Sequence, residues 1–252
     1  MSDESIGKIV GSESHVRYTC QVFTPGEVAT PPQPVEYAFG NFVRVPLRIS
    51  PEQVPDVAFS PFPATSDVTR SRVASSPTRS HAQPGHDHLS ICWAVGLIYD
   101  TILINPTFGN LGPRLSNDTQ VELFSPDYLS ERAVLVSILL LGTMILGSDG
   151  GARQVSHGVP PVALDLGAEV SPLDDTYVRA FHYFPDGGAP GGLRPYLHMG
   201  YLSHALALDH ALLPVAMLRT IERLERLFPE NSPLLSIVKR NFAWRMKVQT
   251  AS

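Results

Sequence analysis

The sequence predicts a mainly β protein with C-terminal α: a small β-barrel followed by a helical bundle. Three observations carry that expectation. The first 47 residues alternate apolar and polar positions with a period of two, as half-buried strands do. Two apolar runs, beginning at Cys92 and Ala133, are bounded by turn-forming residues. After His198 the apolar spacing changes to that of helices. The barrel is expected over residues 5–175, interrupted by a disordered insertion at about 50–88, and the helical region over 193–248.

The first strand is the run Ile6-Gly-Lys-Ile-Val-Gly11. In the second, Val16, Tyr18, Cys20 and Val22 point one way and His15, Arg17, Thr19 and Gln21 the other, so one face is wet. A turn-rich segment to Gln33 leads to a third strand, with Phe39, Val43, Val45 and Leu47 expected on one face. From Ile49 to Leu89, six prolines stand among Ser, Thr and Arg, a composition unable to bury enough surface to offset its ordering entropy. Cys92–Tyr99, continuing through Thr101–Ile104, resumes the strand pattern, and Asn105–Asn117 reads as loop. Ser125–Glu131 has an N-cap, proline at the first helical position and Asp127 in the first turn, predicting a short helix.

Ala133–Leu141 is too uniformly apolar for periodicity to separate strand from helix; its bounding glycines favour a strand buried on both faces. His198–Leu213 is read as helix, with Pro214 kinking or restarting it. Val215–Phe228 carries Met217, Leu218, Ile221, Leu224 and Phe228 on one stripe. Ser232-Pro233 opens a last helix with Leu234, Leu235, Val238, Phe242 and Met246 expected inside.

The stretches IGKIVGSES, VRYTCQVF and FGNFVRV together resemble the start of the HAS-barrel. This is the small barrel that precedes the motor of HerA-type DNA translocases and is found in rotary ATP-synthase subunits. Ile6, Gly7, Val10, Gly11, Gly40, Phe42, Val43 and Val45 match its pattern, and Val95, Gly96, Leu97 and Ile98 fit the strand the family places next. Gly158–Val162, followed by Ala163–Leu166, is similar to the proline-rich step by which such barrels lead to their motor. No P-loop follows it, and helices stand where the motor would be. The resemblance covers the barrel alone, so it implies a HAS-like fold without ATPase activity. In the family the barrel docks the motor to a NurA-type nuclease in DNA-end processing. A stand-alone barrel therefore implies an adaptor or assembly factor for such a machine.

Composition limits the alternatives. At 252 residues, with 43% hydrophobic and 17% charged residues, the chain has ample core for one large or two modest domains. A net charge of −5 argues against nucleic-acid binding by the chain as a whole, but between Arg219 and Lys247 seven Lys or Arg face three Glu. A local DNA contact through the C-terminal basic helices therefore stays open beside a solvated helix surface. Cys20 and Cys92 lie in apolar strand-like runs and read as buried thiols. The N-terminus lacks a signal-peptide pattern and Ala133–Leu146 is too short for a bilayer-spanning helix, so the expectation is a cytoplasmic protein without a membrane partner.

His81, His86, Asp87 and His88 have the composition of a divalent-metal site, although proline- and glycine-rich loops also collect such residues for solubility. His182, His198, His204 and His210, with Asp186 and Asp209, invite a metal or catalytic reading. His204 and His210 are six apart, which separates them on a helix, and no zincin glutamate follows. Asp165, Glu169, Asp174 and Asp175 could form a magnesium cluster but sit in a turn-rich segment. No nucleophile elbow or activated thiol is present. The expectation is a non-enzymatic protein needing no cofactor and no resident metal. Its protein partner would be a HerA-type ATPase or NurA-type nuclease, bound through His15, Arg17, Thr19 and Gln21, with oligomerisation open. Two alternatives remain: a metal-dependent hydrolase using the loop histidines, and a structural self-assembling subunit.

Overall fold

The computed structural model describes residues 5–48, 91–104, 133–147, 150–184 and 196–249. The expected insertion at 50–88, the His81–His88 cluster, the loop at 105–117 and the short helix at 125–131 lie outside them.

Seven strands form one antiparallel sheet: β1 (Gly7–Ser12), β2 (Arg17–Val22), β3 (Phe42–Leu47), β4 (Ile91–Ile104), β5 (Ala133–Leu146), β6 (Ala152–His157) and β7 (Glu169–Pro172). The sheet order is β2-β1-β7-β3-β4-β5-β6, and a further pairing of β2 with β5 closes the first six into a barrel. β6 is left as an extra strand on the C-terminal half of β5, from Gly142↔His157 onward. Closure removes the exposed edges that a six-stranded open sheet would present.

The alternation in the first strands corresponds to an inside and an outside. Tyr18, Cys20 and Val22 of β2, Val43, Val45 and Leu47 of β3, and Ile6 and Ile9 beside or in β1 all enter one buried cluster, the barrel interior. Phe39 does not join them: it precedes β3 and packs outside the barrel, against the helix-facing core. Val10 is likewise outside the core, because the register of β1 against β2 shifts between Ile9 and Gly11 and leaves it 41% exposed. Pro46 is tolerated in β3 because β7 reaches only Val43 and Arg44, so no second neighbour needs its missing N–H.

Two of the glycines in the family-like pattern have local causes. A Cβ on Gly7 would lie 2.1 Å from the Gln21 carbonyl oxygen across the β1–β2 pair. Gly40 adopts φ +86°, a left-handed conformation that delivers the chain into β3.

β4 and β5 are both 14 residues long and are paired along their whole length. Over Cys92–Tyr99 and Val136–Leu146 both are buried on two faces, whereas Thr101–Ile104 at the end of β4 are exposed. On β5, Val136, Ile138 and Leu140 enter the barrel interior, whereas Leu139, Leu141, Met144 and Leu146 face a second core. That second core lies between the barrel wall and the C-terminal helices α1 (Asp175–His182), α2 (Leu202–Ala207), α3 (Leu213–Leu227) and α4 (Ser232–Gln249). A two-stranded ribbon, β8 (Tyr183–Phe184) with β9 (Tyr196–Leu197), follows α1.

α1 begins where the Asp174 carboxylate accepts from the Thr176 and Tyr177 N–H groups. The expected helix over 198–213 is shorter. Residues 196–197 are strand, α2 ends at Ala207, and α3 restarts at Leu213 with Pro214 in its first turn, where a missing N–H costs nothing. On α3, Met217, Ile221 and Leu224 are buried as expected. On α4, Leu235 and Phe242 are buried, but Leu234 is 51% exposed rather than inside. The Arg223 guanidinium of α3 donates to Asp175 at 2.6 and 3.0 Å and lies 5.5 Å from the Phe42 ring, fastening the helices to the barrel. Among the described residues no helix is long and apolar enough to cross a membrane.

Cys20 and Cys92 are free and buried in the barrel interior, and burial pushes their thiols up to about 12 and about 11. Both should therefore resist a thiol reagent in the native protein and react on denaturation. The barrel seam can be tested by Gly7→Ala, which should lower stability by about 1–3 kcal/mol. Gly11→Ala, where nothing lies within 4 Å of the new methyl, should leave the melting temperature nearly unchanged. Equal melting temperatures for the two variants would contradict the close approach at Gly7.

Candidate functional site

The residues proposed to bind a partner stand on the outward side of β2, opposite the buried Tyr18, Cys20 and Val22. His15 is exposed just before the strand, and its Nε2–H donates to the Pro160 carbonyl at 2.8 Å. Arg17 is half-buried and pairs with Glu13 at 3.2 Å. Thr19 lies opposite Ser137 and Gln21 opposite Leu135 on β5. These residues make one polar ridge where β2 meets β5.

Beyond Thr19 the ridge continues across the barrel wall. Ser137 is opposite Asp100 on β4, and the next residue, Tyr99, is 1% exposed. Burial raises the Tyr99 pKa, the Glu13 carboxylate raises it further, and Arg17 opposes the shift. The His210 ring meets the Tyr99 ring edge-on at 4.8 Å, and its Nε2 is 3.8 Å from the Asp100 carboxylate. The expected ridge on β2 therefore joins a Tyr-Asp-His group that the sequence reading did not connect with it.

A second constellation is buried between β6, α1 and α2. It contains His182, His198 and His204 as singled out from the sequence, together with His157 of β6, which was not. The rings of His157 and His198 stack at 4.4 Å, and those of His157 and His182 are 5.9 Å apart. His210 is elsewhere, at Tyr99, so the four histidines are not one site. Asp186 lies outside the described residues.

Backbone carbonyls fix the tautomers. His157 donates from Nε2 to Phe181 O at 2.8 Å and accepts at Nδ1 from the Gly200 N–H at 3.0 Å. His182 donates from Nδ1 to Val178 O at 2.8 Å, which leaves Nε2 to accept from the Tyr201 hydroxyl at 2.8 Å. His204 donates from Nε2 to Leu140 O at 2.9 Å. Both nitrogens of His157 and of His182 are thus occupied, and neither has a lone pair to give a metal. Among the described residues no group of three or more His, Cys, Asp or Glu is placed to hold a metal ion.

Burial depresses the pKa values of all four imidazoles: well below the usual range for His157, to about 4 for His182, and downward for His198 and His204. The neighbouring rings add to this at His157 and His182, since charging one would repel the next. Tyr201 is held protonated, its pKa raised by burial. The cluster is a neutral, hydrogen-bonded packing unit at the pH where histidine normally titrates.

The acidic residues at 165–175 are dispersed. Asp165 lies 3.5 Å from Arg48, Glu169 accepts from Ser5 at 2.7 Å, Asp174 caps α1 and Asp175 holds Arg223. They do not converge as a magnesium site would require. His157 carried no local signal in the sequence, lying 25 residues before His182; only the pairing of β6 with β5 brings it in.

A depressed histidine pKa means that the unfolded chain takes up protons first as the pH falls. Stability is complete above about pH 6.5 and declines toward pH 4. His182 alone should account for a loss of about 2 kcal/mol at pH 5. Denaturant melts between pH 7.5 and 5 should show this decline, and His182→Gln should make it shallower. A wild-type profile that stays flat across that range would contradict the neutral cluster.

The chain belongs to the family described as Domain of unknown function (DUF8166), which matches residues 1–57 and 86–252. A comparison with curated proteins finds no match.

Proposed function

We propose that this chain is a non-enzymatic binding protein, a HAS-like barrel closed by a helical bundle, and that it acts as an adaptor or assembly factor. The observation that carries the reading is the division of its histidines and carboxylates. Inside, His157 and His182 are committed to carbonyls, and at the surface Asp174 and Asp175 to a cap and an ion pair, whereas β2 turns Arg17, Thr19 and Gln21 to the outside. The six-strand closure, built from the stretches that resemble the HAS-barrel, supports the fold half of the proposal.

The first partner to test is a HerA-type ATPase or NurA-type nuclease, which would place the protein in DNA-end processing. A protein partner is favoured over DNA because two of the C-terminal cations are already neutralised. Arg223 pairs with Asp175, and Lys239 with Glu222 and Glu225 at 3.2 and 3.4 Å. Phosphate binding would have to break those pairs or rely on the remaining cations.

The test is an affinity pull-down of the tagged full chain at moderate salt with a nuclease-treated control, followed by titration of the purified partner. Arg17→Ala with Gln21→Ala should weaken binding by about tenfold, the effect of losing roughly 1.4 kcal/mol at the contact, with melting little changed. Unchanged affinity would remove the β2 ridge from the interface. Recovery of no ATPase or nuclease would leave the barrel resemblance a likeness of fold.

A further inference from the structure

Helix α4 is apolar on two sides. Leu235, Val238 and Phe242 face α3 and the outer core, and Lys239 reaches back to Glu222 and Glu225 of α3. On another side Leu234 and Ile237 are each 51% exposed and Trp244 is 68% exposed, with exposed Asn241 between them. The positions 234, 237, 241 and 244 are spaced three, four and three apart. That spacing is the a/d seam of a heptad repeat, with Asn241 at an a position. Arg240 falls on one flank of the seam, and the helix sequence as a whole holds four Lys or Arg. Between Ser232 and Gln249 there is no Asp or Glu, although the chain as a whole has net charge −5.

We infer that this face of α4 docks an amphipathic helix of a second protein, one with acidic residues flanking its own apolar seam. The seam spacing calls for a helix, since knobs at a and d fill holes between the residues of a facing helix. The positive charge of the helix calls for acid. A second copy of α4 would set one positively charged helix against another in either parallel or antiparallel register, so self-pairing is opposed. A bilayer would accept Leu, Ile and Trp, but Asn241 in the middle of the stripe would enter its apolar layer without a partner. Across a helix pair the same amide fixes the register instead. The site stands apart from the β2 ridge and does not rest on the partner proposed there.

The probe is a synthetic helix of about four heptads, long enough to fold on docking. It carries Leu at the core positions, one Asn aligned with Asn241, and Glu on both flanks, and the control peptide has Lys on the flanks. Burial of Trp244 reports binding, because the other tryptophan, Trp93, is already only 8% exposed. The Glu peptide should give a saturable blue shift, at least tenfold tighter than the Lys peptide and weakened by salt. Ile237→Asp should abolish the shift with helicity and melting unchanged, and Arg17→Ala with Gln21→Ala should not affect it. Three results would overturn the inference. One is no saturable shift with the Glu peptide, or equal binding of both peptides. Another is an Ile237-dependent dimer in sedimentation equilibrium. The third is a Trp244 shift with phosphatidylserine vesicles and none with the Glu peptide.

Discussion

The structure depends on one pair of strands that must be buried on both sides. Among the described residues β4 and β5 form the longest ladder, and every residue of β5 from Val136 to Leu146 is buried. One side seals the barrel and the other receives the helices. At about 1.5–3 kcal/mol for each large aliphatic side chain taken from water, this ladder contributes substantially to both cores. A strand with one wet face could not have supplied the second core. The helices are therefore needed to cover a wall that would otherwise expose Trp93, Val95, Leu97 and Met144 to water.

Burial on two sides leaves backbone groups to satisfy wherever the ladder is irregular. The register of β4 against β5 shifts between Val95 and Gly96, passing over Leu141, and again between Ile98 and Asp100, passing over Tyr99. Around the first shift the Leu141 carbonyl accepts from the Gly158 N–H, and the Leu140 carbonyl accepts from His204. Imidazole suits this task because, when neutral, it offers one donor and one acceptor on a flat ring that also stacks. The stack of His157 on His198, and the bond from Tyr201 to His182, extend the same use of the ring. An unpaired carbonyl there would cost about 1–3 kcal/mol. Depressed pKa values follow from that burial and in this setting mark packing, although the same shift in an open cleft would point to acid–base chemistry.

Legibility in the sequence followed the solvent. β1, β2 and β3 each keep one wetter face, so their alternation shows which side is inside, and the polar ridge His15, Arg17, Thr19 and Gln21 could be placed before any coordinates. β4 and β5 have no wet face over much of their length, and only their bounding residues and the barrel resemblance argued for strand over helix. β6, with mixed Ala-Arg-Gln-Val-Ser-His, and the four-residue β7 carry too little pattern to stand out, because their pairing partners define them. α1 did have a readable start, since Asp174 followed by Asp175 and Thr176 is an N-cap signal. Phe39 and Leu234 were misplaced for a shared reason: apolar identity alone does not say which of two apolar surfaces, or none, a side chain will meet. The histidine cluster was partly named but its meaning was not legible, because His157 joins it only through strand pairing.

The glycines at 7 and 40 bear on how far a family-like pattern can reach. Gly7 is required by the approach of the Gln21 carbonyl, and Gly40 by a left-handed turn into β3. Any small barrel closing through the same strand pair would meet the same two constraints, whatever its history. The pattern therefore speaks to barrel geometry, and function has to be argued from surfaces that geometry leaves undetermined. Two such surfaces stand out among the described residues, and they differ chemically. The β2 ridge is polar and half-buried, with Arg17 already engaged by Glu13, so a partner there gains specificity more than area. The outer face of α4 is apolar, on a helix whose sequence holds four Lys or Arg and no acid, and it keeps Leu234, Ile237 and Trp244 in water. Trp244 is 68% exposed on a helix whose other side is packed, and its place in a heptad seam is what the inferred helix-binding surface needs.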